Sequence, residues 1–139
     1  MSHTIKIPNW ILVLSFLFFL SNLFVFGGLS MFFPQIAFPD AGESATFPIE
    51  FFAIRHIALA FPLLYGVVKK DAKVLWTCFS VFLVMTILDV ILLFLKAYYI
   101  PVIGEVPMIL KIIMAFGVFI GPVSLSWWKL NQILHAQQN

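Results

Sequence analysis

Residues 10–32, WILVLSFLFFLSNLFVFGGLSMF, contain no Asp, Glu, Lys or Arg. An α-helix needs about 20 apolar residues to cross the hydrocarbon core of a bilayer, at a rise of about 1.5 Å per residue. Three further runs, residues 49–68, 74–100 and 108–128, have comparable length and apolar character. The first run is longer than the apolar part of a secretory signal, about 7–15 residues, so we expect an uncleaved span.

The composition favours lipid over water as the solvent of this chain. Of its 139 residues, 63% are hydrophobic and only 10% are charged, whereas soluble domains carry about 25% charged residues. A chain this short cannot bury so much apolar surface in one core. In lipid, the backbone must satisfy its own hydrogen bonds, and long apolar runs without alternation do so as helices. We therefore predict an all-α fold: one transmembrane domain, residues 1–139, forming an up-down-up-down four-helix bundle.

The connections between the runs predict the topology and orientation. The turn at residues 69–73 and the third connection, residues 101–107, are short, so the helices they join should be antiparallel neighbours. Lys and Arg mark cytoplasmic segments, and they fall in the N-terminal tail, the turn at 69–73 and the C-terminal tail. The first connection, residues 33–48, has neither. We expect a multi-pass protein of the bacterial inner membrane, with both termini in the cytoplasm.

Polar side chains inside the runs are the candidate site residues, because ionisable groups in a membrane are costly and often functional. They are Asn22 in the first run, Arg55 and His56 in the second, and Asp89 in the third. An Asp at a helix centre costs about 2.5–3.5 kcal/mol to insert, so Asp89 should find a partner, and Arg55 has the longest reach. This pair is either architectural or part of a ligand-binding site. Arg55 and His56 are adjacent and point about 100° apart, so they cannot both face one small site squarely.

Several function classes find no support in the residues. Cys78 is the only cysteine, so it has no internal disulfide partner, and no Cys/His spacing typical of a metal site is present. No ligand set for a cofactor and no trusted catalytic motif occurs. The basic residues are scattered, which argues against nucleic-acid binding. Gly117 and Gly121 form a small-xxx-small pattern that favours close helix packing, either within the bundle or with a second copy or a membrane partner.

Three segments resemble the small bacterial DoxX-like four-helix membrane proteins. They are Arg55-His56-Ile57-Ala58-Leu59-Ala60, residues 70–75 with the sequence KDAKVL, and Thr86-Ile87-Leu88-Asp89. Ala60 stands where the family pattern has Gly. The resemblance covers roughly residues 50–95 and implies a four-helix bundle in which Arg55 and Asp89 occupy the family positions. Some members of that superfamily are linked to quinone-coupled sulfur oxidation, but the resemblance implies no activity for this chain.

Four functions remain open at this point. The polar cluster, Asn22, Arg55, His56 and Asp89, could bind the head group of a quinone, a lipid or another amphiphile from the outer half of the membrane. Alternatively, the chain is an accessory subunit of a membrane complex. An enzyme acting on a lipid-soluble substrate, with Asp89 or His56 as acid or base, and a proton-coupled transporter rank behind these two. The sequence does not decide whether any reaction is catalysed.

Overall fold

The computed structural model describes residues 6–37, 46–94, 113, 117 and 120–138, with the backbone alone at 37, 46–48, 89, 90, 92–94, 137 and 138. Within these residues every regular element is a helix, which confirms the predicted all-α class. In chain order the elements are α1 (Asn9–Leu20), a π-helical segment (Ser21–Leu29), α2 (Ser30–Phe32), α3 (Pro34–Ala37), α4 (Thr46–Lys69), α5 (Ala72–Phe94) and α6 (Gly121–Gln138).

Two helices are long and apolar enough to cross a membrane, Asn9–Phe32 and Ile49–Lys69, and a shorter apolar helix covers Ala72–Leu88. The first is continuous because α1, the π segment and α2 follow one another without a break. In the most apolar stretch of each helix only a minority of the residues is buried, 33% in Asn9–Phe32 and 28% in Ile49–Lys69. Their outward faces therefore carry uncovered apolar side chains such as Phe24, Phe51 and Phe61.

The long helices share one hydrophobic core. Helix α4 packs along both α1 and the π segment, and α5 packs against α4 and α6. The rings of Phe18 and Phe79 meet edge to face at 6.1 Å between centroids, which brings α1 against α5. The buried apolar residues of the core are Ile7, Ile11, Phe18, Phe19, Ala60, Leu63, Ala72, Leu75, Cys78, Phe79, Phe82, Val123, Leu130 and Ile133.

Helix α6 continues past residue 128, where the fourth apolar run ends, to Gln138. Leu130 and Ile133 in this extension are buried in the core, so it is part of the packed structure. Earlier in α6, the Trp127 indole donates a 2.8 Å hydrogen bond to Ser80 Oγ and so connects α6 to α5. Gly117 and Ile120 are π-helical. This wider winding precedes Pro122, whose ring would clash with an α-helical turn before it. The third connection, residues 101–107, lies outside the described residues.

The turn between α4 and α5 consists of two residues, Lys70 and Asp71, which end one helix and begin the next. Lys70 adopts a left-handed conformation, φ 51°. Its N–H bonds to Val67 O and the Asp71 N–H bonds to Gly66 O, the pattern of a Schellman cap. Asp71 Oδ1 then accepts hydrogen bonds from the N–H groups of Lys73 and Val74, capping the start of α5. Both residues of the turn therefore take part in capping the two helices.

Substituting Lys70 with Gly should stabilise the protein. A left-handed conformation costs an ordinary residue about 1–2 kcal/mol, and glycine adopts it almost freely. After allowing for the greater freedom of glycine in the unfolded chain, we expect Lys70→Gly to raise the free energy of unfolding by about 0.5–1 kcal/mol.

Equilibrium denaturation in a mild detergent measures this change. Lys73→Gly is the matched control, since it also removes one lysine, but from a helical position. It should lower the free energy of unfolding by about 0.5–1 kcal/mol. Equal losses in both variants would show that Lys70 carries no backbone strain.

Candidate functional site

A buried hydrogen bond between two polar side chains joins the π segment to α4. His56 Nδ1 lies 2.6 Å from Asn22 Oδ1. Asn22 is 1% exposed and His56 8% exposed. In these apolar surroundings each group would lose its solvation without a compensating partner, so each stabilises the burial of the other.

The π segment brings the two side chains together. Asn22 is its second residue, and its Nδ2 donates a 2.7 Å hydrogen bond back to the carbonyl of Phe18 in α1. π-Helical turns are rare and often lie at functional sites. Five residues after Asn22, Gly27 is buried against α4. A Cβ atom at Gly27 would lie 2.5 Å from Ile57 Cγ1, so only glycine permits this approach.

The hydrogen bonds of Asn22 determine the tautomer of His56. The carbonyl of Phe18 can only accept, so the amide group facing it is the NH₂ of Asn22. The amide oxygen therefore faces His56, and Nδ1 of His56 must carry the hydrogen that it accepts. In the neutral imidazole the other nitrogen, Nε2, is then a bare acceptor. Nε2 is buried and has no hydrogen-bond partner among the described residues.

Aromatic rings enclose His56. Phe26 stacks on the imidazole with 5.1 Å between ring centroids, and Phe52 lies at 4.4 Å in a tilted arrangement. The guanidinium carbon of Arg55 lies 5.1 Å from the centroid of Phe52, within the range of a cation–π interaction. A cation, a neutral acceptor and two aromatic faces are thus grouped at one level of the first long helix and α4.

The structure places the sequence candidates as follows. Asn22 and His56 are in direct contact, and Arg55 joins them through Phe52. Arg55 is partly exposed whereas His56 is buried, which accords with the divergent directions expected of adjacent helix residues. Position 89 belongs to α5. The side chain of Asp89 lies outside the described residues, and the expected Arg55–Asp89 pair with it.

The sequence reasoning did not single out Phe26 and Phe52. The signal was available in their spacing, because Phe26 follows Asn22 by four residues and Phe52 precedes His56 by four. Residues four apart share one face of a helix. Apolar aromatics in an apolar run are nevertheless common, so the spacing alone did not mark them.

Metal binding finds no ligand set in the part of the chain that the structure describes, where no group of three or more His, Cys, Asp or Glu side chains occurs. Cys78 is buried in α5. The chemistry that the arrangement offers is hydrogen bonding at Nε2 and electrostatic attraction at Arg55. Comparisons of the chain with protein families, curated proteins and solved structures found no match.

Removing the Asn22 side chain should destabilise the protein through His56. We expect Asn22→Ala to lower the free energy of unfolding by about 1–3 kcal/mol, because the buried Nδ1–H loses its acceptor. Ser15→Ala is a suitable control. Ser15 is also fully buried in the same long helix, but its hydroxyl donates to Ile11 O within that helix.

Denaturation of Asn22→Ala, His56→Ala and the double variant measures the coupling between the two side chains. A coupling energy of about 0.5–3 kcal/mol is expected for residues in contact. If the two single losses simply add, or if Asn22→Ala costs no more than Ser15→Ala, the hydrogen bond does not carry the proposed energy.

Proposed function

We propose that this chain is an integral membrane four-helix bundle that binds the head group of an amphiphile at His56. The observation that carries the proposal is the Nε2 atom of His56, a buried acceptor without a hydrogen-bond partner among the described residues. Buried polar atoms rarely stay unpaired, and the exceptions call for an explanation such as a ligand. A head group that donates to Nε2 would satisfy it, while the apolar chain of the ligand would run along the helices.

The uncovered apolar faces of the long helices support a membrane location. Phe32 and Phe51 are 72% and 63% exposed. Water would penalise such surfaces by about 25 cal/mol for each Å² of apolar area, and lipid would not. The resemblance to DoxX-like proteins, which implies the same bundle, stays a proposal.

The orientation that we propose places the α4–α5 turn in the cytoplasm, because Lys69, Lys70 and Lys73 mark it as a cytoplasmic segment. The polar cluster then lies in the outer half of the membrane. The connection after the first long helix faces outward.

Cysteine labelling in bacterial cells tests this topology. In a Cys78→Ala background, Gln35→Cys should react with a membrane-impermeant maleimide on intact cells. Lys70→Cys should react only after the cytoplasmic face is opened. Both Gln35 and Lys70 are exposed, so burial does not confound the comparison. Labelling of Lys70→Cys on intact cells would reverse the orientation and place the cluster near the cytoplasm.

The bare acceptor at Nε2 indicates which head groups suit the site. A hydroxyl or an N–H group can donate to Nε2, whereas a carbonyl or an ether oxygen cannot. Among amphiphiles, this favours a quinol or a hydroxylated lipid over a quinone. The guanidinium of Arg55, over the ring of Phe52, places a positive charge beside the site, which favours a head group with a carbonyl or an anionic group. The rings of Phe26 and Phe52 offer flat apolar faces.

A pair of matched probes tests this preference. A long-chain alkylphenol should bind the detergent-solubilised protein about 2- to 12-fold more tightly than its methyl ether, the range of one net hydrogen bond. His56→Phe should remove the difference, and Ser15→Ala should keep it. Calorimetric titration gives the two dissociation constants. Equal affinities in the unmodified protein would refute the hydrogen bond to Nε2.

Mass spectrometry of small molecules that co-purify with the gently extracted protein addresses the natural ligand. We expect a stoichiometric amphiphile in the unmodified protein and its loss in His56→Phe and in Arg55→Leu. Bulk lipid alone in every sample would instead favour the second candidate function, that of an accessory subunit.

The second candidate is an accessory subunit of a membrane complex, and Gly117 is the observation that favours it. Gly117 is exposed, and no described atom lies within 4 Å of the position that a Cβ there would take. Such an open surface of a small residue suits close approach of another helix. Dependence of the protein level on a co-purifying membrane protein, lost in Gly117→Leu, would support this function. Enzymatic and transport functions rank behind both.

A further inference from the structure

A depression of about 400 Å³ lies at the end of the molecule formed by the α4–α5 turn. Its lining consists of residues 69–73 together with Ile7, which precedes α1, and Leu134 of α6. It is therefore built from the segment that precedes α1, the turn and α6. No part of the His56 site lines it, and its chemistry calls for a separate explanation.

The charge of the lining is positive. Lys69, Lys70 and Lys73 contribute three ammonium groups, and all three side chains are exposed. Asp71 contributes one carboxylate, so the formal sum is three minus one, or +2. One oxygen of that carboxylate already accepts two backbone N–H groups at the start of α5. The ammonium groups are thus the donors that this lining offers to a ligand.

The backbone of Lys70 points to a role for its charge. A residue with φ 51° is strained unless it is glycine. Glycine would end α4 in the same Schellman cap without that strain, but it would remove one of the three ammonium groups. A strained residue is a reason to look for a function that retains it.

The apolar members of the lining select the kind of anion. Ile7 is 8% exposed and belongs to the hydrophobic core, and Leu134 packs against that core. A free phosphate ion gains nothing from apolar walls. A phosphate that carries acyl chains suits a depression in which lysines and core residues meet at the end of membrane-spanning helices.

We propose that this depression binds the phosphate group of an anionic phospholipid, held by Lys69, Lys70 and Lys73. This rests on the membrane location in the proposed function and is independent of the amphiphile site at His56. Basic residues next to the membrane attract anionic lipid by about 1 kcal/mol each, which corresponds to roughly a fivefold change in affinity per lysine.

The experiment compares lipids that stay bound after extraction from nanodiscs containing phosphatidylcholine and phosphatidylglycerol. Native mass spectrometry should show phosphatidylglycerol enriched on the unmodified protein over its bilayer fraction. The triple variant Lys69→Gln, Lys70→Gln, Lys73→Gln should lose this enrichment. Lys129→Gln, which removes a lysine of α6 that does not line the depression, should retain it.

The variant Lys70→Gly controls for a loss of phosphatidylglycerol binding that is caused only by unfolding. It removes one ammonium group while relieving backbone strain, so it should lower the relative affinity for phosphatidylglycerol about fivefold in a protein at least as stable as the original. Unchanged enrichment in both Lys70→Gly and the triple variant would overturn the proposal.

Three further outcomes identify the source of the phosphate and separate this proposal from the proposed function. If inorganic phosphate displaces phosphatidylglycerol at equal concentration, the site takes the free anion and the lipid assignment is wrong. If the protein does not enter nanodiscs, the membrane location itself fails. Preference for the alkylphenol at His56 that survives in the triple variant, with phosphatidylglycerol lost, supports two separate sites.

Discussion

The hydrogen bond between Asn22 and His56 sets how the first long helix and α4 fit together. Both residues are surrounded by apolar side chains, so sliding or rotating either helix would leave two buried polar groups without each other. When all faces of a helix are similarly apolar, apolar packing discriminates poorly between alternative helix registers. A buried polar pair, in contrast, has few acceptable geometries. The π segment, the approach at Gly27 and the enclosing rings all occur along this contact.

The same bond gives the site its chemical character. Asn22 is held from one side by the Phe18 carbonyl, and it in turn holds the imidazole in one tautomer. The consequence appears at the far side of the ring, where a lone pair is presented in an apolar setting. Water competes weakly for such an atom, so a single hydrogen bond from a ligand is worth more there than at a surface. A structural contact and a binding function are therefore compatible in the same pair of residues.

Much of the helical architecture could be predicted from the length and polarity of the runs, because these are local properties of the chain. Asn22 and His56 were recognisable as isolated polar residues in such runs. Their mutual pairing was not, since it depends on how each helix is rotated about its axis, and apolar residues on every face leave that rotation undetermined. Arg55 was expected to pair with Asp89 because of its reach, and that pair lies outside the described residues; the buried polar contact that the structure describes joins His56 to Asn22. The π segment also went unforeseen, although Gly27 and Gly28 mark its end.

Asp71 takes part both in the cap that ends α4 and in the cap that begins α5. Because only Lys70 and Asp71 separate the two helices and both take part in the caps, α4 and α5 form one helical hairpin rather than two independently placed segments. In the membrane location that we propose, such a hairpin would partition into the bilayer as one unit, with both apolar surfaces buried together and its lysine-bearing tip left on the side of entry. The insertion step would then be decided by the pair, and lengthening the tip would uncouple its two arms.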